Sequence, residues 1–387
     1  MVNFAHFADV HLGGWRQGPM QELNFMAFQK VIDTCISRKV DFVLVAGDLF
    51  DSAYPPIETL KETFAEFKRL KDAKIPVFII AGSHDYSVSG KTFLDVLEKA
   101  GFCRNVFKGE IKYDEIILSP TIWNGIAIYG YPGKKSGLEV PEIKKIKLED
   151  APGMFKILML HTTMDKVRGV LPIDCVEFDK LPEANYYALG HIHVDFRYRN
   201  LIYPGPVFPN NFGEIETLEN GSFYIVDTEL GNPFEKIDLR MKDLVILDIA
   251  VKNALTATDE IIAELSKKNL KDKLVLLRLS GTIDNQKTSD IKMEKIENFC
   301  FENGAYFFLK NTHDLKTSEV DLDIEVKNQE NLEDEAIKRY SKENPSEFNG
   351  LIPQLMHILS AEKQEGETVD SFNSRLLEDS RKILDLD

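Results

Sequence analysis

Short apolar runs alternate with amphipathic stretches through the first hundred residues. FAHFAD (4–9) is a compact apolar run that ends on polar residues, the pattern of a buried strand. Residues 21–37 carry a helical pattern. DFVLVAGD (41–48) reads as a strand rich in valine that ends in Gly-Asp. Ile57, Leu60, Phe64, Phe67 and Leu70 recur at helical spacing across 57–72. A further strand is expected from Pro76 to Ala81, and a short helix over 92–100, closed by Gly101. This βαβαβα order implies parallel strands with helices packed on them.

The texture changes after about residue 110. EIILSPTIWNGIAIYGYPG (115–133) reads as a strand pair around either Asn124-Gly125 or the preceding Ser-Pro turn. KILMLH, YYALGHIH, FRYRN and GSFYIVD follow as further short strands, so the region up to about residue 236 is expected to be a mixed α/β sandwich. Residues 242–312 read as a separate small module: strand LVILDIAV, helix 256–268, strand KLVLLRLSG, helix 288–303 and strand AYFFLK, a βαβαβ order. Beyond about 328 the chain is polar and acidic. Helical patterns are expected at 331–342 and at 369–386, the latter through Val369, Phe372, Leu376, Ile383 and Leu386, with the apolar LIPQLMHIL (351–359) between them. Helices with apolar faces and no core of their own are candidate docking elements for a partner. The expected domains are therefore 1–236, 237–327 and 328–387.

Composition sharpens this picture. A length of 387 residues is too great for one core and fits two or three domains. Hydrophobic and charged fractions of 43% and 28% are those of a soluble globular protein. The amino terminus lacks the basic and apolar blocks of a signal peptide, and no run approaches the roughly 18–20 apolar residues of a membrane span, so a cytoplasmic, membrane-free protein is expected. Cys35, Cys103, Cys175 and Cys300 are far apart with no CxxC pair, which excludes a disulfide framework or zinc ribbon. The net charge is −16, of which residues 328–387 supply about −7 from 14 acidic and 7 basic side chains. The rest carries no general attraction for nucleic acid, so such binding requires local patches, metal ions or a partner.

The chemistry sits at strand ends. Strand side chains alternate faces, so Asp9 and His11 point the same way, as do His191 and His193. Asp48 ends the second strand after Gly47. Ser83, His84 and Asp85 end the third after Gly82, and His161 ends FKILML. In an α/β sheet, ligands gather outside the carboxyl ends of the strands. One histidine at such an edge is usually structural; five strands that all deliver Asp, His or a glycine-flanked polar residue there point to a two-metal site. Mixed imidazole and carboxylate donors suit manganese, iron or zinc better than calcium, and Asp48 is the carboxylate suited to bridge two ions. His6, His313 and His357 lie off this pattern and are expected to be structural.

The blocks ADVHLG, GDLFDS, GSHD, LHTT and GHIH resemble, in order, the D-x-H, G-D, G-N-H-[DE], H and G-H-x-H pattern of the calcineurin-like metallophosphoesterases. Within that superfamily the chain resembles the nuclease subunit of the double-strand-break repair nuclease–ATPase complex, of archaeal and SbcD type. DVHLGG near the start, SGKTFLDVLEKAG after GSHD, and the βαβαβ module in the place of a capping domain carry that resemblance.

It implies a two-sheet αββα sandwich with a capping domain and a helical tail. Asp9, His11, Asp48 and His193 would hold one metal, and Asp48, Ser83, His161 and His191 the other; His84 would be the catalytic histidine. The implied cofactor is two Mn2+, with Mg2+ or another divalent ion as substitute. The implied activity is a manganese-dependent double-strand exonuclease of 3'-5' polarity and a single-strand endonuclease. The implied partners are DNA, for which Arg16, Lys91, Lys134, Lys135, Arg168, Arg197 and Arg199, in or near loops at the catalytic edge or the sandwich end, are candidate contacts; a coiled-coil SMC-like ATPase docked by the tail; and a second copy bound through helices 57–72 and 92–100.

Three positions depart from the pattern. Ser83 replaces an Asn whose amide oxygen is a metal ligand; a hydroxyl is shorter and weaker, which predicts a more exchangeable second metal. Pro206 replaces the Ser of YPGS. Asp51 stands where these nucleases often carry His. Two rival functions remain on this reading: a phosphatase or cyclic-nucleotide phosphodiesterase with the same metal core, and, because of Ser83, a non-catalytic scaffold for the ATPase.

Overall fold

In the computed structural model the apolar runs become strands buried on both faces. The structure describes residues 2–87, 92–169, 174–228, 233–284, 286–317, 341–342, 346, 348–359 and 369–384. In chain order the strands of the first half are β1 (Asn3–Phe7), β2 (Phe42–Ala46), β3 (Val77–Ile80), β4 (Arg104–Asn105), β5 (Gly109–Lys112), β6 (Glu115–Leu118), β7 (Thr121–Trp123), β8 (Ile126–Tyr131) and β9 (Ile146–Leu148). Then come β10 (Phe155–His161), β11 (Tyr186–Gly190), β12 (Asp195–Tyr198), β13 (Leu201–Pro204), β14 (Gly221–Asp227) and β15 (Phe234–Leu239), followed by β16 (Leu244–Ala250), β17 (Leu274–Ile283) and β18 (Phe307–Thr317). The helices used below are α1 (Gly18–Arg38), α2 (Ile57–Asp72), α3 (Phe93–Lys99), α4 (Val140–Ile143), α5 (Asp165–Arg168), α6 (Phe212–Leu218), α7 (Ala254–Ser266) and α8 (Met293–Glu302).

Two six-stranded sheets, ordered β15-β14-β1-β2-β3-β4 and β12-β13-β11-β10-β8-β7, lie face to face. β1 to β4 are parallel, as are β8, β10, β11 and β13. Phe42, Leu44 and Ala46 of β2 meet Ile157 and Met159 of β10 between the sheets. The alternate residues Val43 and Val45 pack outward against Phe28 and Val31 of α1, and Leu158 and Leu160 pack outward with Val140 and Ile143 of α4. This αββα layering explains why the strands read as unbroken apolar runs rather than alternating ones.

The region 115–133 resolves in favour of Asn124-Gly125. Both residues have positive φ (43° and 80°), and the turn joins β7 to β8 in antiparallel register. EIIL, by contrast, is β6 and belongs to a separate three-stranded sheet with β5 and β9, so Ser119-Pro120 marks a crossing between sheets. The βαβαβ order of the module is present as β16-α7-β17-α8-β18. It belongs to one compact unit with the sandwich, Met1–Lys316. Leu274, Leu276 and Leu309 join the core that contains α1, and the opposite face of the module's sheet is covered by α7 and α8. Arg278 grips Glu216 of α6 with two hydrogen bonds, Nε at 3.0 Å and Nη2 at 2.6 Å.

A second unit begins at Thr317. Within it the helices Ile352–Leu359 and Val369–Leu384 pack on one another. The helical pattern at 331–342 lies outside the described residues except for its last two, and Leu386 lies outside them altogether. Among the described residues no helix is long and apolar enough to cross a membrane.

Candidate metal centre

The carboxyl ends of β1, β2, β3, β10 and β11 meet at one edge of the two sheets, and the chain turns there through unusual backbone. Asp9, His11, Asp48 and His191 all have positive φ (52°, 48°, 51° and 94°), a region in which Asp and His are enriched among non-glycine residues. Such conformations cost on the order of 1–3 kcal/mol each and persist where surrounding bonds hold them. Here the bonds are visible. Asp9 N–H donates to Gly47 O (3.1 Å), Val10 and His11 N–H to Asp48 O (2.8 and 3.1 Å), and His84 N–H to Asp48 Oδ1 (2.7 Å). His191 N–H donates to Asp9 Oδ1 (2.9 Å). Two glycines make room: a Cβ on Gly82 would sit 2.1 Å from Asp48 Oδ1, and one on Gly47 2.3 Å from His161 Nδ1.

The donors form three overlapping groups whose ligand atoms lie within 4.8 Å of one another: Asp9, His11 and His193; His11, Asp48 and His84; Asp9, Asp48 and His161. Asp48 is shared by two of them. His191 and Ser83 border the same cluster: the His191 and His161 rings are 5.1 Å apart, and Ser83 Oγ lies 3.4 Å from Asp48 Oδ2.

Hydrogen bonding tests whether cations fit. His11 Nδ1 faces Asp51 Oδ1 (3.1 Å), His193 Nδ1 faces Glu214 Oε1 (3.0 Å) and His161 Nδ1 faces Ala46 O (2.9 Å). These oxygens accept, so each Nδ1 donates and each Nε2 is turned inward. The Nε2 atoms of His11 and His193 are 3.0 Å apart, an approach that needs a proton or a cation between them. His161 Nε2 is buried and faces Asp48 Oδ2 at 3.1 Å. Inward imidazole nitrogens beside buried carboxylates make a donor set suited to divalent transition metals.

The electrostatics agree. Burial alone would make His161 less basic, but the charges of Asp48 and then Asp9 outweigh it and push its pKa up to about 10. Burial likewise lowers the basicity of His193, but the Glu214 hydrogen bond and the charge of Asp9 outweigh it and push its pKa up to about 8. Asp48 is held well below the usual carboxylate range by His161 and His11, against its burial. Burial and the neighbouring His161 bring His191 down to about 4. In the absence of cations the cluster thus recruits protons in their place.

His84 is the exposed member. Its side chain is 46% exposed, and Nδ1 donates to Asp51 O at 2.9 Å. It opens on a cleft of about 1080 Å³ lined also by Tyr54, Ser83, Lys134, Lys135, Glu139, Asp174 and His191. Among the described residues, Lys134 and Lys135 are the expected DNA contacts that line this cleft, and Lys134 is ion-paired with Glu142. Arg16 is exposed in the loop between His11 and α1, and Arg168 ends α5 just after β10. Arg197 lies on β12, its guanidinium 4.1 Å from the centroid of the Phe234 ring. Arg199 occupies the β12–β13 turn, two residues before Leu201, which pairs with Tyr187, and so lies at the opposite end of the strands from His191. Lys91 lies outside the described residues. Pro206 forms a bridge to Ala8, one residue before Asp9.

Glu214 and Glu139 are functional neighbours outside the strand-end pattern, and Asp51 stands out in the sequence only as a departure from the nuclease pattern. Glu214 had a signal: Asn211, with Glu214 three residues on, is a helix-start pattern, and the Asn211 side chain does accept Glu214 N–H at 3.0 Å. Glu139, 1% exposed, accepts from Thr162 Oγ1 at 2.9 Å, a contact between two sheet-end loops that no local pattern announces.

Residues 2–195 match the family model of the calcineurin-like phosphoesterases. The chain belongs to that family. As a calcineurin-like phosphoesterase it is a metal-dependent hydrolase, and its strand-end donors fit divalent cations. It is similar to proteins named DNA double-strand break repair protein Mre11. The one from Archaeoglobus fulgidus is 26% identical over 329 residues, 76% of this chain and 72% of that protein. The one from Methanocaldococcus jannaschii is 30% identical over 274 residues, 65% of this chain and 70% of that protein. It is also similar to the uncharacterized metallophosphoesterase YhaO of Bacillus subtilis, 26% identical over 298 residues, 72% of this chain and 71% of that protein.

Proposed function

We propose that this calcineurin-like phosphoesterase is a DNA nuclease of double-strand-break repair that hydrolyses phosphodiesters with two Mn2+ ions. The observation that carries the reading is the strand-end cluster with Asp48 shared between donor groups and a separate exposed histidine beside it. The names of the relatives supply the substrate class. Asp9, His11, Asp48 and His193 would hold one ion; Asp48, Ser83, His161 and His191 would hold the other. Divalent cations in such a site activate water and neutralise charge at phosphorus. The chain's own contribution is to orient the donors from rigid strand ends and to keep His84 Nε2 facing the cleft. His84 Nδ1 is committed to Asp51 O, so Nε2 is the atom that meets a phosphoryl or leaving-group oxygen and exchanges a proton with it. Double-strand exonuclease activity of 3'-5' polarity and single-strand endonuclease activity belong to this proposal.

The same reading assigns residues 1–236 to the nuclease, 237–327 to a cap over the DNA, and 328–387 to docking of a coiled-coil ATPase. Exposed apolar side chains support the docking roles: Met356, Leu359 and Leu377 in the tail helices, and Ile57 and Val96 on α2 and α3 for pairing with a second copy. The acidic net charge and the mixed charge of the cleft fit a nuclease that relies on metals and a partner to hold DNA.

The deciding experiment incubates the full chain with end-labelled duplex DNA, single-stranded DNA and a chromogenic phosphate monoester, in Mn2+ or Mg2+, with and without the ATPase. Mn2+-dependent release of nucleotides from DNA is expected. Turnover of the monoester alone moves the chain to the phosphatases, and absence of all turnover despite bound metal makes it a scaffold.

A further inference from the structure

We propose that Asp51 is the positioning residue that orients two histidines of the centre at once, His11 through its carboxylate and His84 through its main-chain oxygen. The inference rests on the two-metal reading above. Asp51 Oδ1 faces His11 Nδ1 at 3.1 Å, and Asp51 O accepts from His84 Nδ1 at 2.9 Å. Each imidazole therefore carries its proton on Nδ1 and turns Nε2 away from Asp51, that of His11 toward His193 and Asp48. The two rings meet edge to face, with centroids 4.7 Å apart.

The carboxylate is itself held in place. Asp51 N–H donates to Leu12 O at 3.2 Å, which ties the residue to the loop that carries His11. Asn210 Nδ2 approaches Asp51 Oδ1 at 3.4 Å. A Cβ at Gly14 would sit 3.0 Å from Asp51 Oδ1, so the bare backbone there backs the carboxylate closely. A carboxylate that accepts from the outer nitrogen of a ligand histidine fixes its tautomer and raises its basicity as a donor. Loss of such a partner typically weakens metal affinity 10–100-fold.

The test titrates Mn2+ into metal-free full-length protein by isothermal calorimetry, for wild type, D51A, D51N and H11A. Asn keeps an oxygen acceptor for His11 Nδ1, whereas Ala removes it. The expected result is a loss of about 10–100-fold in affinity for one Mn2+ in D51A, with most of that loss recovered in D51N. D51A binding as tightly as wild type would overturn the proposal. D51N binding as weakly as D51A would also overturn it, since charge rather than orientation would then be the operative property. H11A separates this proposal from the reading beneath it: if H11A retains full affinity, His11 is no ligand and both fall; if H11A loses one Mn2+ and D51A does not, only the role of Asp51 falls.

Discussion

Asp85 accepts the main-chain N–H of Phe50 at 3.0 Å, so the carboxylate that follows β3 holds the loop that follows β2. The same side chain accepts from Leu49 N–H (3.2 Å) and Gly82 N–H (3.0 Å) and is 2% exposed. Burial, with a further push from Asp48, brings its pKa up to about 6. D85A leaves these buried donors without an acceptor, at about 1–3 kcal/mol each before relaxation. A loss on the order of 3 kcal/mol is expected in urea unfolding, with loss of metal-dependent turnover as Asp48 and His84 shift. D85N, which keeps one acceptor oxygen, should fall between. An unfolding midpoint for D85A equal to that of the parent would remove Asp85 from this role.

Ser83 offers the cheapest gain. Its hydroxyl stops 3.4 Å from Asp48 Oδ2 and lines the open cleft, so a longer side chain extends into space rather than into the core. S83N places an amide oxygen, a hard donor suited to Mn2+, at that mouth. The second Mn2+ is expected to bind tighter, on the order of tenfold, read as a lower Mn2+ concentration for half-maximal turnover. If S83N leaves that concentration unchanged, position 83 is not a ligand position.

What was legible in the sequence follows from burial. β2 is buried on both faces and stops at Gly47-Asp48, so its apolar run announces a strand and its end announces a ligand. The same holds for β1, β10 and β11. β5 was not legible, because all four of its residues are exposed and carry no apolar pattern. The outer partners of the histidines were hidden for another reason. Glu214 meets His193 from 21 residues away and Asp51 meets His11 from 40, and nothing local encodes either meeting. Arg199 shows how charge alone misleads: strand direction puts it at the far end of β11 and β13 from the edge where His191 sits.

His84 is separable from the metals. It is exposed, and its Nδ1 bond goes to a main-chain oxygen that substitution leaves in place. H84Q is expected to lower turnover about 10²–10⁴-fold, the usual contribution of a proton-transfer group, with Mn2+ stoichiometry by atomic emission unchanged. Near-normal turnover in H84Q would assign the proton to another group.

His6 sets an acid limit on stability. It is buried in β1, with Nδ1 2.8 Å from the Tyr186 hydroxyl, and burial drives its pKa down to about 3. Between about pH 3 and 6.5 the unfolded chain binds a proton at this position and the folded chain does not. Stability is therefore complete above pH 6.5 and falls as the pH drops toward 3. From pH 7.5 to 5.0 the loss from His6 comes to about 2 kcal/mol. H6Q, which has no proton to gain, should lose less than wild type by that amount across the same interval in urea unfolding. An equal loss in the two proteins would place the acid sensitivity elsewhere, in the carboxylates.

Metal binding should release protons. With His161 pushed up to about 10 and His193 to about 8, both rings are protonated at neutral pH when no cation is bound. A ligand imidazole must be neutral, so a cation displaces the proton at each Nε2. Calorimetric titration of Mn2+ in buffers of different ionisation enthalpy, such as phosphate and Tris at pH 7, should give heats that differ by about two proton equivalents. Affinity should correspondingly rise with pH, by roughly a hundredfold per unit in this range. H193A should cut the release to about one proton. Heats that do not depend on the buffer would mean that the histidines are already neutral before the metal arrives, and that the pairing of His161 with Asp48 is not the proton-holding contact inferred from their 3.1 Å separation.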